Sequence, residues 1–450
     1  MSENPLIPLH VRSNEHDPEK PFDGDLFGRQ ELAAKLTGMM ERMRGGCVFA
    51  IDAPWGDGKT WFGKNWAAKL QSDAFHVVFI DAFRQDFVED PFLMLCAEVL
   101  ATFKENDVNS DGISKLFDAS IKVSKTIAPL LAKVAINIIG RQFLGSSDMA
   151  EECRKAGDEV QKGLADYSEK ALAKRLADHG DNKRSVEEFA KKLGDLVSQL
   201  NKKPLIIIID ELDRCRPDFA VKTVERIKHF FDVPGVVFVL LVNRPQLEAA
   251  IRGIYGSDVD ARTYLGKFIQ LWLQLPKTRL SGSPSLDHNR IYCQELGRRF
   301  GLEQTEGYGV FKEVFEILAS LKGLSLRDLE RGYTLFSLAQ PVGDRGRAVA
   351  WSVYLRLVRP DVHVGLLVGE KSACISAREE LEELKLLDVS GNYGEILSVI
   401  DGMYKDFIDG NACFSNDSKI LFYNYLLTAS KMPTRQFIQA IARMVDLNTD

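Results

Sequence analysis

The chain has 450 residues, 45% of them hydrophobic, which is enough to build more than one domain with its own core and excludes a disordered tail or a small stapled scaffold. Its formal charge of -6 gives no whole-chain attraction to nucleic acid, although a local basic surface is compatible with that average. Seven cysteines, at 47, 96, 153, 215, 293, 374 and 413, form no CxxC pair, which argues against a zinc cage or a disulfide framework and for a cytoplasmic setting.

Residues 1–19 read as a polar N-terminal tail without the charged-then-apolar layout of an export signal. Residues 20–104 then read as the first part of an α/β domain. Its strands are Cys47 to Asp52 (CVFAID) and His76 to Asp81 (HVVFID), continuous apolar runs of the kind a parallel sheet covers on both faces. From 105 to 184 the strand pattern stops and a charged helical insertion is expected. Within it, Thr126 to Gly140 (TIAPLLAKVAINIIG) is the most apolar piece, but a spanning helix needs ~20 mainly apolar residues, so a buried or interfacial helix is expected instead. Lys122, Lys125, Lys133 and Arg141 give this region a local positive stretch.

The α/β pattern resumes over 185–278. Ser185-Val186-Glu187-Glu188 is a capping box ahead of an amphipathic run, and the strands Leu205 to Asp210 (LIIIID) and Val236 to Val242 (VVFVLLV) follow. At least four central strands separated by helices predict a doubly wound, mainly parallel sheet. Residues 279–450 read as a C-terminal helical domain, with chain breaks near Ser281-Gly282-Ser283-Pro284 and Arg359-Pro360.

Ala53-Pro54-Trp55-Gly56-Asp57-Gly58-Lys59-Thr60 matches GxxxxGK[ST] at every defined position except the first glycine, and it sits between a strand and a helical run, as a phosphate-binding P-loop requires. Gly56 and Gly58 let backbone N–H groups curl around phosphate, and the helix beyond presents its N-terminal amides to the anion. Lys59 is expected at the β- and γ-phosphates, the Thr60 hydroxyl at magnesium, and Trp61 at the edge of the same site. Ala53 is the departure, because alanine tolerates a left-handed backbone less well than glycine.

The run Asp210-Glu211-Leu212-Asp213-Arg214 ends a buried strand in closely spaced carboxylates. Asp210 is the candidate magnesium ligand, Glu211 the candidate general base, and Asp213 a supporting or substitute carboxylate. Asn243, after the Val236 strand, is either a sensor of the γ-phosphate or a turn residue before proline. Asn243-Arg244-Pro245-Gln246 lacks the lysine and aspartate of a guanine-reading NKxD segment, so ATP is the expected nucleotide.

These residues resemble the KAP family of P-loop NTPases, whose phosphate loop reads GxWGxGK[ST] and whose magnesium strand is followed by DDLDRC. Here the counterparts are Trp55 to Thr60 and Asp210-Glu211-Leu212-Asp213-Arg214-Cys215. Asp81-Ala82-Phe83-Arg84 resembles the family's N-A-W segment, Tyr264 to Gln270 its YLEKIIQ helix, and Leu275-Pro276 its closing LP. Family members often carry membrane helices between the two nucleotide motifs, and this chain resembles the soluble branch. The family has been linked to phage exclusion, which the resemblance implies as one role.

Similarity to the wider AAA+ and STAND-like ATPases implies that Gly28-Arg29 lies beside the base. It also implies that Arg327, or secondarily Arg331, is a γ-phosphate sensor, with a surface charge as the alternative. Arg262, Arg214 and Arg244 are candidates for a finger acting on a neighbouring subunit. The expectation is a magnesium-dependent ATPase that switches conformation or assembly, binding itself or a protein partner through the insertion or the C-terminal helices. The alternatives are a scaffold that binds nucleotide without hydrolysing it, an ATPase acting on nucleic acid with a nuclease partner, and a small-molecule kinase.

Overall fold

Five strands form one all-parallel sheet in the order β2-β3-β4-β1-β5: β1 (Cys47–Asp52), β2 (His76–Asp81), β3 (Leu205–Asp210), β4 (Val236–Val242) and β5 (Leu271–Gln274). The computed structural model describes residues 17–43, 45–88, 90–105, 110–127, 185–200, 203–230, 233–277, 288–339, 345–388, 393–409 and 434–446. The polar tail through residue 16, most of the expected insertion including Lys133 and Arg141, and the Ser281–Pro284 break lie outside the described residues.

Every residue of β3 and β4 is buried, which explains why these two central strands carry unbroken apolar runs with no alternation. The helices on one face are α1 (Arg29–Met40) and α2 (Lys59–Ser72), which bury Phe62, Trp66 and Leu70 with Phe49, Ile206, Val237 and Leu241. The other face is covered by α3 (Ala82–Gln85), α4 (Pro91–Glu105), α5 (Ser110–Ile127), α6 over 185–197, α7 (Pro217–Ile227), α8 (Arg244–Tyr255) and α9 (Ala261–Leu265). Although α5 falls where the insertion was expected to begin, Leu116, Ala119 and Val123 are buried in this same core.

Gly63 sets how closely α2 approaches the sheet. A Cβ there would stand 2.3 Å from Leu241 Cδ1 and 3.2 Å from Phe79 Cε2, so a larger residue would require these side chains to shift.

One expectation is corrected. The helix expected over Tyr264 to Gln270 ends at Leu265, where Gly266 and the turns Phe268 N–H to Leu265 O and Ile269 N–H to Leu265 O close it. The chain then adds a fifth strand, β5, on the edge beside β1. Its four residues are only partly covered, so it lacks the apolar run that marks the interior strands.

The chain divides after Pro276 into two compact units. The C-terminal unit is helical throughout its described residues: α10 (His288–Arg299), α11 (Tyr308–Lys322), α12 (Leu326–Ala339), α13 (Gly346–Val358), α14 (Pro360–Val368), α15 (Lys371–Leu387), α16 (Gly394–Asp409) and α17 (Thr434–Asp446). Its core stacks Phe311 on Phe336 at 4.1 Å, with Phe315 and Tyr333 alongside. A buried carboxylate, Glu380, accepts from the Tyr354 hydroxyl at 2.6 Å and Lys322 Nζ at 2.8 Å and lies 3.5 Å from Arg359. Among the described residues, no helix is long and apolar enough to cross a membrane.

Candidate nucleotide site

Because all five strands run the same way, their carboxyl ends share one edge. In spatial order that edge carries Asp81, Asp210, Asn243 after Val242, Asp52 and Gln274. The loop Ala53 to Thr60 leaves β1 on this edge, and β4 is the one strand between it and Asp210.

The loop is shaped by Gly56 at φ 89° and Gly58 at φ 81°, where a side chain is strained. Ala53 is not left-handed. It extends the β1 pairing by donating its N–H to Val242 O at 3.2 Å, so the missing first glycine exacts no backbone strain. Lys59 is 8% exposed and its ammonium donates to Ala53 O at 2.7 Å and Pro54 O at 3.2 Å, closing the loop on itself. Burial pushes this lysine below its ordinary range, and the nearby charges of Asp213 and then Asp210 oppose the shift.

Asp210 is 2% exposed, and burial raises its carboxyl to about 6, opposed first by the Thr60 side chain. The loop that carries Thr60 and the strand that ends in Asp210 thus bring the two sequence motifs to the same sheet edge. Asp210 Oδ1 also accepts the Glu211 N–H at 2.9 Å.

Beyond Asp210 the chain turns through Glu211, one of three described non-glycine residues with positive φ, at 60°. The Glu211 carboxylate is ion-paired with Arg214 Nη1 at 2.7 Å. Asp213 faces a different group: its Oδ2 accepts a short hydrogen bond from the Trp55 indole Nε1, while its Oδ1 is buried with no hydrogen-bond partner among the described residues. Burial and neighbouring acids, Asp86 first, push the Cys215 thiol up to about 12, so it stays protonated.

Arg29 lies beneath the loop, 3% exposed, with Nη2 donating to Asp57 O at 2.7 Å, Nη1 to Gly58 O at 3.4 Å and Nε to Pro276 O at 3.4 Å. Its guanidinium also sits 5.0 Å from the Phe27 ring centroid. Two of these donors go to the backbone of the phosphate loop and the third to Pro276, beyond β5. Gly28, at φ 69°, is the left-handed residue that starts α1 and aims Arg29 inward. Asp57 is buried in the loop, Pro54 and Trp55 are exposed, and Trp61 stands edge-on to Phe22 at 5.8 Å.

Asn243 ends β4 and caps α8 without a side-chain hydrogen bond to it. Arg244 is held by Glu248 at 2.7 Å and stacked 4.4 Å from the Trp272 ring, while Arg262 is exposed on α9. Arg327 and Arg331 are exposed on α12 of the C-terminal unit, with Arg331 3.4 Å from Asp328. Lys122 lies 3.3 Å from Glu188, so one charge of the expected basic stretch has an acidic partner. Sequence reasoning overlooked Asp52, whose Oδ1 accepts the Arg244 N–H at 2.9 Å and Oδ2 the Gln274 amide at 2.8 Å. It fixes the strand ends around the loop.

Residues 29–286, more than half of the chain, match the KAP family P-loop domain. The chain belongs to the KAP family of P-loop NTPases. No curated protein matches this KAP chain significantly in sequence. Among solved structures, the Aeropyrum pernix ORC2 protein, described in its ADPNP–ADP complexes, aligns over 95% of this chain and 97% of its own at 11% identity and a TM-score of 0.32. A likeness of that degree carries no argument about function.

The donor set suits a magnesium nucleotide. Among the described residues no three His, Cys, Asp or Glu side chains gather as a metal cage. Magnesium bound to a nucleotide needs none, since it retains waters and takes few protein ligands beside phosphate oxygens. The Thr60 hydroxyl on the loop and the buried Asp210 carboxylate on the same sheet edge are hard oxygen donors of that kind.

Proposed function

We propose that this KAP protein binds ATP with magnesium and hydrolyses it, using the cycle as a conformational or assembly switch. The shared sheet edge carries the reading: the phosphate loop leaves β1 there, and the buried carboxylate of Asp210 ends β3 on the same edge with only β4 between them. Magnesium, when bound, supplies positive charge to the phosphate oxygens. Thr60 and Asp210 are the groups to hold it. Lys59 neutralises developing charge on the β- and γ-phosphates, and the amides at the start of α2 orient them. Glu211 and Asp213 are the carboxylates available to the attacking water.

Asn243, on the strand between loop and carboxylates, is proposed to sense the γ-phosphate. Arg327 is proposed to do so from the C-terminal helices, and Arg262, the exposed finger candidate, to act on a neighbouring subunit. A part in anti-phage defence rests on the family likeness alone. Light scattering behind size-exclusion chromatography, without nucleotide and with ATP–Mg²⁺, tests the switch. A nucleotide-dependent change in mass or elution volume supports it. An unchanged particle beside measurable hydrolysis removes the switch and leaves the hydrolase.

A further inference from the structure

Two carboxylates follow the magnesium-side Asp210, and sequence gives the base role to the first. Their surroundings differ. Glu211 turns through a left-handed residue and its carboxylate lies on Arg214 at 2.7 Å. Asp213 is held from the phosphate-loop side, by the indole N–H of Trp55 on Oδ2. Trp55 is 42% exposed, so core packing does not account for a tryptophan at this point. An indole N–H donates and never accepts, so this contact fixes which oxygen of Asp213 is held. The other oxygen, Oδ1, is buried with no hydrogen-bond partner among the described residues, which is unfavourable for a carboxylate unless a further donor such as a water meets it. Asp213 is also the largest of the nearby charges that act on Lys59, ahead of Asp210, which ties it to the phosphate end of the site.

We propose that Asp213, and not Glu211, is the catalytic carboxylate that orients and deprotonates the attacking water, and that Trp55 is its positioning residue. The proposal rests on the hydrolysis reading above. In the step, the water oxygen bonds to the γ-phosphorus and its proton passes to Asp213 Oδ1. The bond from that phosphorus to the β–γ bridging oxygen breaks, leaving its electron pair on the β-phosphate. ADP and inorganic phosphate leave, and Asp213 returns its proton to solvent. Glu211 with Arg214 braces the turn that presents Asp213.

The test is phosphate release with ATP–Mg²⁺, beside fluorescent-ATP binding and thermal melting, on the full chain and its Asp213→Asn, Glu211→Gln and Trp55→Phe variants. Asp213→Asn should bind ATP within about threefold of the parent while kcat falls roughly 10²–10³-fold, the range for loss of a general base. Glu211→Gln should lose far less. Trp55→Phe keeps the ring but not the donor, so kcat should fall about tenfold at unchanged KM. A packing role for the indole would lower the melting temperature and leave kcat in place.

A large loss in Glu211→Gln with a near-parental Asp213→Asn overturns the assignment while leaving hydrolysis intact. An unmoved kcat in Trp55→Phe removes the positioning role. A parent chain that binds ATP–Mg²⁺ and releases no phosphate overturns the hydrolysis reading and this proposal with it. If Asp213→Asn fails to melt cooperatively, the exposed Trp55 variant decides.

Discussion

Arg29→Ala should weaken the phosphate loop without touching any group that binds phosphate. The guanidinium is buried and its donors reach Asp57 O at 2.7 Å and Gly58 O and Pro276 O at 3.4 Å each. A hydrogen bond involving a charged group contributes about 1.5–3 kcal/mol; counting the short one in full and the long ones in part gives roughly 2–4 kcal/mol. At ~2–4 °C per kcal/mol for a domain of this size, the nucleotide-binding unit should melt roughly 5–10 °C lower. If half of the loss falls on the loop conformation that accepts phosphate, affinity drops ~5–30-fold, since ~1.4 kcal/mol is tenfold. Titrating ATP, GTP and tripolyphosphate separates this from a contact to the base. Loop support predicts the same loss for all three ligands, and Arg29→Lys restoring only part of it because one ammonium cannot replace the fork. Tripolyphosphate binding at parental strength with ATP binding reduced would refute the reasoning and return Arg29 to the base.

Asp210 should make the nucleotide-free protein less stable at neutral pH than in mild acid. Its carboxyl rises from 3.8 to about 6 on folding, so the folded state prefers the protonated form. The stability this gives is complete below about pH 4 and lost as pH rises through 6, about 3 kcal/mol at ~1.4 kcal/mol per pKa unit. Asp210→Asn should therefore raise the urea midpoint at pH 8 more than at pH 4.5 while removing magnesium-dependent turnover. In the C-terminal unit His363 behaves oppositely: burial, and then the Arg356 charge, lowers it from 6.5 to about 4. Its contribution is complete above pH 6.5 and lost as pH falls through 4, so amide exchange along α13 and α14 should accelerate between those values, less so in His363→Gln.

The sequence showed the chemistry more readily than the geometry that controls it. Interior strands were legible because burial on both faces leaves an unbroken apolar run in β3, up to its terminal Asp210, and in β4. The edge strand β5 was not, since partial cover permits a mixed composition. Gly56, Gly58, Lys59 and Thr60 could be read from spacing because a phosphate constrains backbone shape locally. Arg29 and Trp55 could not, because their partners are a loop carbonyl 28 residues on and a carboxylate 158 residues on, contacts that only the folded sheet creates. The concern over Ala53 dissolves for a local reason: its backbone is not left-handed. The one available signal for the Trp55–Asp213 pair was a polar-capable aromatic in an exposed glycine-rich loop.

The central claim is that two motifs far apart in sequence form one magnesium–nucleotide site through Thr60 and Asp210. A double-mutant cycle on magnesium-dependent phosphate release, with Thr60→Ala, Asp210→Asn and the pair together, tests it most directly. One shared site predicts strongly non-additive losses, the double variant being little worse than the worse single one. Losses that multiply as independent factors would contradict it.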